Sequence, residues 1–157
     1  MRRISLPLAV LGGAAVMGGL VGAAPMMLVT LGPATGGYQS SLTGCKVTDG
    51  DTIRCSGERI RLLGIDAPAL PGHCRRGRLC APGNPYASSR SLQEALVGKL
   101  SINRVGKDRY GRTLALVAGS KGDLSCWQLK NGQAIYVRHW DTGIRVARTC
   151  PSSTMGK

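Results

Sequence analysis

Apolar and polar residues divide the chain into two unlike regions. Between Ile4 and Leu31 the sequence is apolar and holds no charged residue. After residue 42, apolar and polar positions alternate in short runs that glycines interrupt, which is the pattern of half-buried strands. These runs predict strands over 43–48, 51–56, 58–66, 100–105 and 111–118.

Two helices are predicted among these strands. Asn84 is placed to cap the first, with Pro85 at its first helical position and Gly98 at its end. Asp123 is placed to cap the second, which stops at Gly132. Five short strands with a helix before the fourth predict a mainly β (α+β) protein. Its expected form is a five-stranded Greek-key barrel of the OB type with two to three helices.

The N-terminal apolar segment is long enough to cross a membrane. The 28 residues from Ile4 to Leu31 would extend about 42 Å as a helix, which exceeds the roughly 30 Å of a hydrocarbon core. Arg2 and Arg3 precede it and place the N-terminus on the cytoplasmic side. Small residues up to Ala24 also fit a cleaved signal peptide, but the anchor is favoured because Pro25 follows them directly.

Either interpretation exports the rest of the chain. The expected organisation is a signal anchor or signal peptide over 1–31, a flexible linker over 32–42, a barrel domain over 43–150 and a tail over 151–157. The expected location is extracytoplasmic, periplasmic or secreted, with anchoring to the inner membrane by residues 4–31 if that segment stays uncleaved. A monomer is expected.

Charge narrows the range of partners. Twenty-one Lys and Arg residues oppose eight Asp and Glu residues, for a net charge of +13. Such a surface attracts polyanions: nucleic acid, anionic lipid or acidic glycans. The alternative is that the charge serves solubility alone. Phe is absent and aromatic residues are few, so any base-stacking surface must be small.

Six cysteines lie beyond the linker, and an even number in a small exported domain predicts disulfides. A hairpin that turns at Gly50 places Cys45 and Cys55 at equal distances from the turn, hence opposite each other. A second bond would close a small basic loop, and the third would attach the tail to the late helix. The expected pairings are Cys45–Cys55, Cys74–Cys80 and Cys126–Cys150.

The basic loop allows one other interpretation. His73, Cys74 and Cys80 could bind zinc, but their spacing fits no common zinc pattern. The arginines between the two cysteines either guide a nucleic-acid strand toward a site or only solvate the loop.

Two acidic motifs stand out in this basic chain. Asp51 follows a turn at Gly50, and Asp66 ends the third predicted strand. Tightly joined strands would bring these carboxylates together, where they repel each other unless a hard cation such as Ca²⁺ lies between them. With Arg61 and Arg112 they would form a site for a phosphodiester. Taken singly, each residue has a plainer role, as a turn residue, a strand end or a surface arginine.

Three ordered motifs carry a family resemblance. Asp49-Gly50-Asp51-Thr52, Arg61-Leu62-Leu63-Gly64-Ile65-Asp66-Ala67-Pro68 and Asp108-Arg109-Tyr110-Gly111-Arg112 together resemble the staphylococcal nuclease (thermonuclease) family over roughly residues 43 to 140. The resemblance implies an OB-fold barrel and Ca²⁺-dependent cleavage of DNA or RNA. The stretch 141–157 is too short and too interrupted by Gly and Pro for the long C-terminal helix common in this family.

The resemblance also implies roles for individual residues. Asp51 and Asp66 would bind the metal through their carboxylates, and Ala67 through its backbone carbonyl. Arg61 and Arg112 would bind the phosphate and stabilise the charged five-coordinate transition state, because the planar guanidinium reaches two phosphate oxygens.

One position departs from the family pattern. Where the family has the Glu that serves as general base, this chain has Ala69. A general base contributes roughly 10²–10⁴ in rate, so catalysis would be weakened. Glu58 and Glu94 are the nearest spare carboxylates in sequence, and neither is an evident substitute. Arg109 and Tyr110 are expected to flank a bound nucleotide, or Tyr110 packs against the barrel.

Three functional hypotheses follow. The favoured one is an exported, membrane-anchored, Ca²⁺-dependent nuclease with weakened catalysis. The second is a non-catalytic pseudo-nuclease that binds nucleic acid or another polyanion at the cell envelope. The third is an envelope module that contacts proteins, which would have no need of a phosphate site.

Overall fold

The computed structural model describes residues 37–38 and 40–155. The predicted anchor over 4–31 and most of the predicted linker lie outside the described residues. Within those described ranges, no helix combines the length and the apolar character needed to cross a membrane.

Short strands and short helices make up the described chain. The strands are β1 (Ser40–Leu42), β2 (Cys45–Asp49), β3 (Thr52–Cys55), β4 (Glu58–Leu62), β5 (Ile65–Asp66), β6 (Leu100–Lys107), β7 (Thr113–Gly119), β8 (Gly122–Asp123) and β9 (Ile135–Tyr136). The helices are α1 (Pro85–Ala95), α2 (Leu124–Lys130), α3 (Arg145–Thr149) and α4 (Pro151–Thr154), with 3₁₀ turns at Arg138–Trp140 and Thr142–Ile144.

The main sheet is a curled half-barrel with the strand order β1-β6-β7-β4-β3-β2, to which β8 adds beside β7. Most neighbours are antiparallel, but β4 and β7 run parallel, with Arg61 opposite Leu114. This pairing brings the start of β7 beside Arg61. The mainly β, OB-like fold expected from the sequence is confirmed.

The third predicted strand, 58–66, is interrupted. Gly64 has a φ of +69°, which ends β4 at Leu62 and sends β5 to pair with β9 instead of continuing the main sheet. A Cβ at this position would lie 3.1 Å from side-chain atoms of both Asp141 and Val146. The prediction of one continuous strand was therefore wrong, because it took no account of a close approach by the C-terminal segment.

Both ends of the expected barrel domain also carry more structure than the sequence pattern suggested. Ser40–Leu42, at the end of the predicted linker, pairs with β6 as β1, and Leu42 packs against the core. Edge strands pair through backbone groups and need few apolar residues. The Gly- and Ser-rich sequence of this segment therefore gave no apolar pattern that predicts a strand. At the other end, Pro151–Thr154 of the predicted tail forms α4.

The helices begin where the capping residues predicted. The Asn84 side chain accepts hydrogen bonds from the backbone N–H groups of Tyr86 and Ala87, and Asp123 accepts one from Cys126. Helix α1 ends at Ala95, three residues before the expected Gly98. Both helices pack on the half-barrel. The largest fully buried apolar side chains of the described residues are Ile53, Ile60, Leu62, Leu63, Ile65, Leu92, Ile102, Leu124, Val117 and Val146.

All six cysteines form the three expected disulfides: Cys45–Cys55, Cys74–Cys80 and Cys126–Cys150. The first joins directly opposed residues of β2 and β3, as the symmetry of the hairpin predicted. The second pairs the two thiols of the zinc alternative with each other. The third fastens the short C-terminal helices to α2.

The turn between β2 and β3 requires a glycine on packing grounds. A Cβ at Gly50 would collide with the Ser88 side chain and lie 2.8 Å from the Ala67 Cβ. We expect Gly50→Ala to lower the free energy of unfolding by about 1–3 kcal/mol through overpacking, measured by urea denaturation. Gly106→Ala is the matched control, because a Cβ there meets no atom within 4 Å. Equal stability of the two variants would contradict this account.

Candidate functional site

A cavity of about 1290 Å³ opens beside the turn that follows β2 and the ends of β4 and β5. The residues predicted to bind the metal and the phosphate or to flank a nucleotide, together with Ala69, all line it. The charged lining consists of four aspartates and seven arginines: Asp49, Asp51, Asp66, Asp108, Arg59, Arg61, Arg75, Arg76, Arg78, Arg109 and Arg112. This excess of positive charge in a concave site favours an anionic ligand.

Asp51 lies immediately before β3 and is 4% exposed. Its Oδ1 accepts hydrogen bonds from the Thr52 hydroxyl at 2.9 Å and from Arg61 at 2.6 Å. Its Oδ2 accepts one from the backbone N–H of Ala67 at 3.0 Å. Both oxygens are therefore oriented by groups on β3, β4 and the segment after β5, which fixes the carboxylate before any ligand arrives.

Arg61 joins the two predicted metal-ligand carboxylates. One terminal nitrogen donates to Asp51, and the other donates to Asp66 Oδ1 at 3.2 Å and to the Ile65 carbonyl at 3.3 Å. The register of β3 and β4 places Arg61 opposite Thr52. Because Asp51 directly precedes Thr52, the guanidinium lies beside the Asp51 carboxylate. The structure thus brings Asp51, Asp66 and Arg61 into one cluster.

Asp66 has a second cationic partner that the sequence did not indicate. Arg78, from the loop closed by Cys74–Cys80, contacts Asp66 Oδ2 at 2.5 Å. The Trp140 ring lies near both arginines that bind Asp66, with its centre 5.2 Å from the Arg61 guanidinium carbon and 4.9 Å from that of Arg78. Trp140 was missed by sequence reasoning, because it is 74 residues beyond Asp66 and no spacing rule links the two.

Burial dominates the electrostatics of Asp51. The pKa of this carboxyl is raised to about 6, mainly by burial; the nearby Asp49 carboxylate adds to the rise, and Arg61 and the Ala67 N–H oppose it. The ionised form is therefore costly in the ligand-free protein. A buried carboxyl with a raised pKa in a cleft is typical of functional sites.

The second guanidinium predicted for the site is held by its own turn. Arg112 pairs with Asp108 at 2.7 Å, and Asp108 also accepts the backbone N–H groups of Tyr110 and Arg112. These contacts lower the pKa of Asp108, although its partial burial opposes them. Arg112 therefore faces the same cavity without contacting Asp51 or Asp66.

Tyr110 does not pack against the barrel. The residue is 57% exposed, and its ring lies near the guanidinium groups of Arg109 and Arg112, at 4.9 and 5.5 Å. Arg109 also donates to the Tyr110 hydroxyl at 2.8 Å. Arg109 and Tyr110 thus form an exposed cationic and aromatic rim beside Arg112.

The two spare glutamates do not replace the carboxylate absent at Ala69. Ala69 lines the cavity. Glu58 instead pairs with Arg104 and accepts a hydrogen bond from the Thr113 hydroxyl, outside the cavity. The Arg104 pairing is the main reason that the pKa of Glu58 falls to about 2. Glu94 is exposed on α1 and is also outside the cavity lining.

The donor chemistry of the cluster fits a hard cation. Asp51 and Asp66 are close enough to share one guanidinium, and carboxylate and carbonyl oxygens are the ligands that Ca²⁺ takes. In the described part of the chain, no group of three or more His, Cys, Asp or Glu side chains is arranged to hold a metal. A cation at the Asp51–Asp66 pair would therefore complete its shell with backbone oxygen and water.

The curled OB-like half-barrel, with its paired aspartates and arginines in a basic cavity, defines a nuclease-like class of protein. The sequence model for the staphylococcal nuclease homologue family matches residues 59–148. The chain therefore belongs to the staphylococcal nuclease homologue family.

Two curated relatives are similar to part of this chain. A succinoglycan biosynthesis protein, ExoI, from Rhizobium meliloti (strain 1021) is 34% identical over 96 residues, which cover 57% of this chain and 48% of the relative. An uncharacterized endonuclease from Haemophilus influenzae is 32% identical over 95 residues, with the same coverage of 57% and 48%. The chain spans about half the length of the curated relatives it matches.

Removing Arg61 should destabilise the protein in a pH-dependent way. Arg61→Ala leaves the buried Asp51 carboxylate without its cation, which we expect to cost about 3–5 kcal/mol at pH 8 in the presence of a chelator. The folded-state pKa of Asp51 already lies above its ordinary value, and losing Arg61 would raise it further. The loss should therefore shrink as the pH falls from 8 to 5, where Asp51 becomes protonated.

Urea denaturation at the two pH values measures this effect. Arg59→Ala is the matched control, since Arg59 lies on the same strand two residues away and is exposed. It should show no comparable dependence on pH. An equal loss at pH 5 and pH 8 for Arg61→Ala would contradict the role assigned to the Asp51 carboxylate.

Proposed function

We propose that the protein is an exported, Ca²⁺-dependent nuclease-like enzyme that hydrolyses phosphodiester bonds of DNA or RNA with weakened catalysis. The observation that carries this proposal is the Arg61 guanidinium shared by two buried aspartates inside an arginine-lined cavity. Membership of the staphylococcal nuclease homologue family and similarity to an endonuclease support it.

The side chains of Asp51 and Asp66 and the carbonyl of Ala67 would hold the Ca²⁺ ion. When bound, such an ion supplies a Lewis acid and lowers the pKa of a coordinated water. The protein's own contribution is to fix the donors: Thr52 and the Ala67 N–H hold the Asp51 carboxylate in place. Burial also keeps bulk water away from the pair, which strengthens its interaction with any charge in the cavity.

The arginines would bind and orient the phosphate. Asp108 accepts from Nε of Arg112, which orients the guanidinium and leaves its two terminal nitrogens outside that ion pair. A planar guanidinium held in this way suits bidentate contact with phosphate oxygens and stabilises charge that develops on them. Arg109 and Tyr110 would contact the neighbouring nucleotide through charge and ring stacking.

Ala69 is the reason for proposing weakened catalysis. A methyl group cannot accept a proton, and the carboxylates that line the described cavity are engaged: Asp51, Asp66 and Asp108 by arginines, and Asp49 by the backbone N–H of Asp51. Turnover would then depend on charge stabilisation by the arginines and on the metal-bound water, without the contribution of a positioned base.

Export and a membrane location belong to the same proposal. The three disulfides indicate an oxidising environment outside the cytoplasm. We propose that residues 4–31 anchor the domain to the membrane and that the protein acts there as a monomer.

The second candidate function is a pseudo-nuclease that binds a polyanion without cutting it. Two observations favour it: Ala69 removes the proton acceptor, while the arginine lining that binds an anion is retained. The ligand would be nucleic acid or an acidic polysaccharide. The similarity to a protein of succinoglycan biosynthesis makes a polysaccharide ligand worth testing.

Restoring the carboxylate at position 69 should raise nuclease activity. We expect Ala69→Glu to increase kcat by one to a few powers of ten, near the roughly 10²–10⁴ that a general base contributes. The gain should fall on kcat because a base acts in the transition state. Cleavage of a labelled oligonucleotide by the full-length chain, with and without Ca²⁺, measures the effect.

Ala69→Gln is the matched control, because it has nearly the same size without a proton acceptor. If Gln and Glu raise activity equally, the effect is one of packing and the missing-base account is wrong. If neither form cuts in Ca²⁺ while both bind the oligonucleotide with an affinity that falls with salt, the pseudo-nuclease is the correct function.

A further inference from the structure

The loop closed by Cys74–Cys80 carries three arginines, and all three line the cavity. The cysteines are six residues apart, and a turn inside the loop is closed by the Arg78 N–H donating to the Arg75 carbonyl. The disulfide and this turn limit the positions that the arginines can take. No family motif quoted above includes these residues.

Arg78 differs from its two neighbours because it reaches a predicted metal ligand. It pairs with Asp66 Oδ2 at 2.5 Å, and its guanidinium lies over the Trp140 ring. Asp66 Oδ1 is bonded to Arg61, so each oxygen of this carboxylate has an arginine partner. The Asp66 side chain is 8% exposed and that of Arg78 is 40% exposed, so Arg78 covers the carboxylate on the cavity side.

We propose that Arg78 is a substrate-binding residue that exchanges partners. In the free protein it neutralises Asp66, and when a divalent cation binds Asp66 it moves to a phosphate of the substrate. This inference rests on the proposed function and adds a phosphate-binding residue on a disulfide-closed loop.

Competition for one oxygen is the physical basis of the exchange. Asp66 Oδ2 cannot hold Arg78 at ion-pair distance and coordinate a cation at the same time without losing strength in both contacts. A cation therefore displaces Arg78, and the released guanidinium remains in the same cavity. The other aspartates of the cavity already have hydrogen-bond partners, so Arg78 is then without an ion pair. A substrate phosphate supplies that partner.

Such an exchange couples the two ligands. The cation makes Arg78 available to phosphate, and phosphate removes the competitor of the cation, so each should raise the affinity of the other by the same factor. The disulfide contributes by keeping Arg78 near both partners, because an open loop would lose more conformational entropy when the arginine binds.

The test is calorimetric titration of Ca²⁺ into the full-length chain, with and without a cleavage-resistant phosphorothioate oligonucleotide. Arg78→Gln should bind Ca²⁺ alone about 3- to 10-fold more tightly than the unchanged chain, because the competing ion pair is gone. It should bind the oligonucleotide more weakly, with a salt dependence reduced by about one phosphate contact. The factor by which each ligand raises the affinity of the other should also be smaller in Arg78→Gln than in the unchanged chain.

Arg76→Gln is the matched control, since Arg76 lies in the same loop and makes no ion pair with Asp66. It should leave the affinity for Ca²⁺ alone within about twofold. The double variant Cys74→Ser with Cys80→Ser keeps Arg78 but opens the loop, and it should show part of the Arg78→Gln effect.

The outcomes separate this inference from the function on which it rests. If the unchanged chain and Arg78→Gln bind Ca²⁺ with equal affinity, the cation site stands and the exchange is overturned. If the unchanged chain and Arg78→Gln both fail to bind Ca²⁺, the proposed Ca²⁺ site fails and the exchange fails with it. If Arg76→Gln reproduces Arg78→Gln, the effect is one of general charge, which also overturns the specific role of Arg78.

Discussion

The shared guanidinium of Arg61 is the interaction on which the site depends. Two carboxylates that are 4% and 6% exposed repel each other and lose most of their hydration, so they require a cation between them. Arg61 meets this need from the middle of the same half-barrel, with one nitrogen for each carboxylate. The two carboxylates are therefore held side by side by Arg61 in the absence of any bound ligand.

The surrounding packing keeps that arrangement in place. Gln128 of α2 is fully buried and donates to the Gly50 carbonyl at 2.7 Å and to the Ser88 carbonyl at 3.0 Å. This side chain joins both helices to the turn that precedes Asp51. The absence of a Cβ at Gly50 allows α1 and the Ala67 segment to approach that turn. Helix packing thus determines where the first carboxylate stands relative to the second.

Ala69 and the arginines set the chemical character of the cavity. Seven arginines line the cavity, and a methyl group stands at position 69. Arg78 is one of these lining arginines and is paired with Asp66. Both functions proposed above, slow cleavage and retention of a polyanion, rest on these same guanidinium groups.

Local sequence determined the hairpin, the caps and most of the strands, because these features depend on alternation, on turn residues and on neighbours within about ten positions. The Cys45–Cys55 bond and the approach of Asp51, Arg61 and Asp66 belong to this class. Tertiary structure alone decided the rest. The break at Gly64, the Arg78 contact to Asp66 and the position of Trp140 are made by segments that meet in space without a shared local pattern. Their geometry follows from how the C-terminal turns and the disulfide-closed loop pack over the cavity, which no periodicity along the chain encodes.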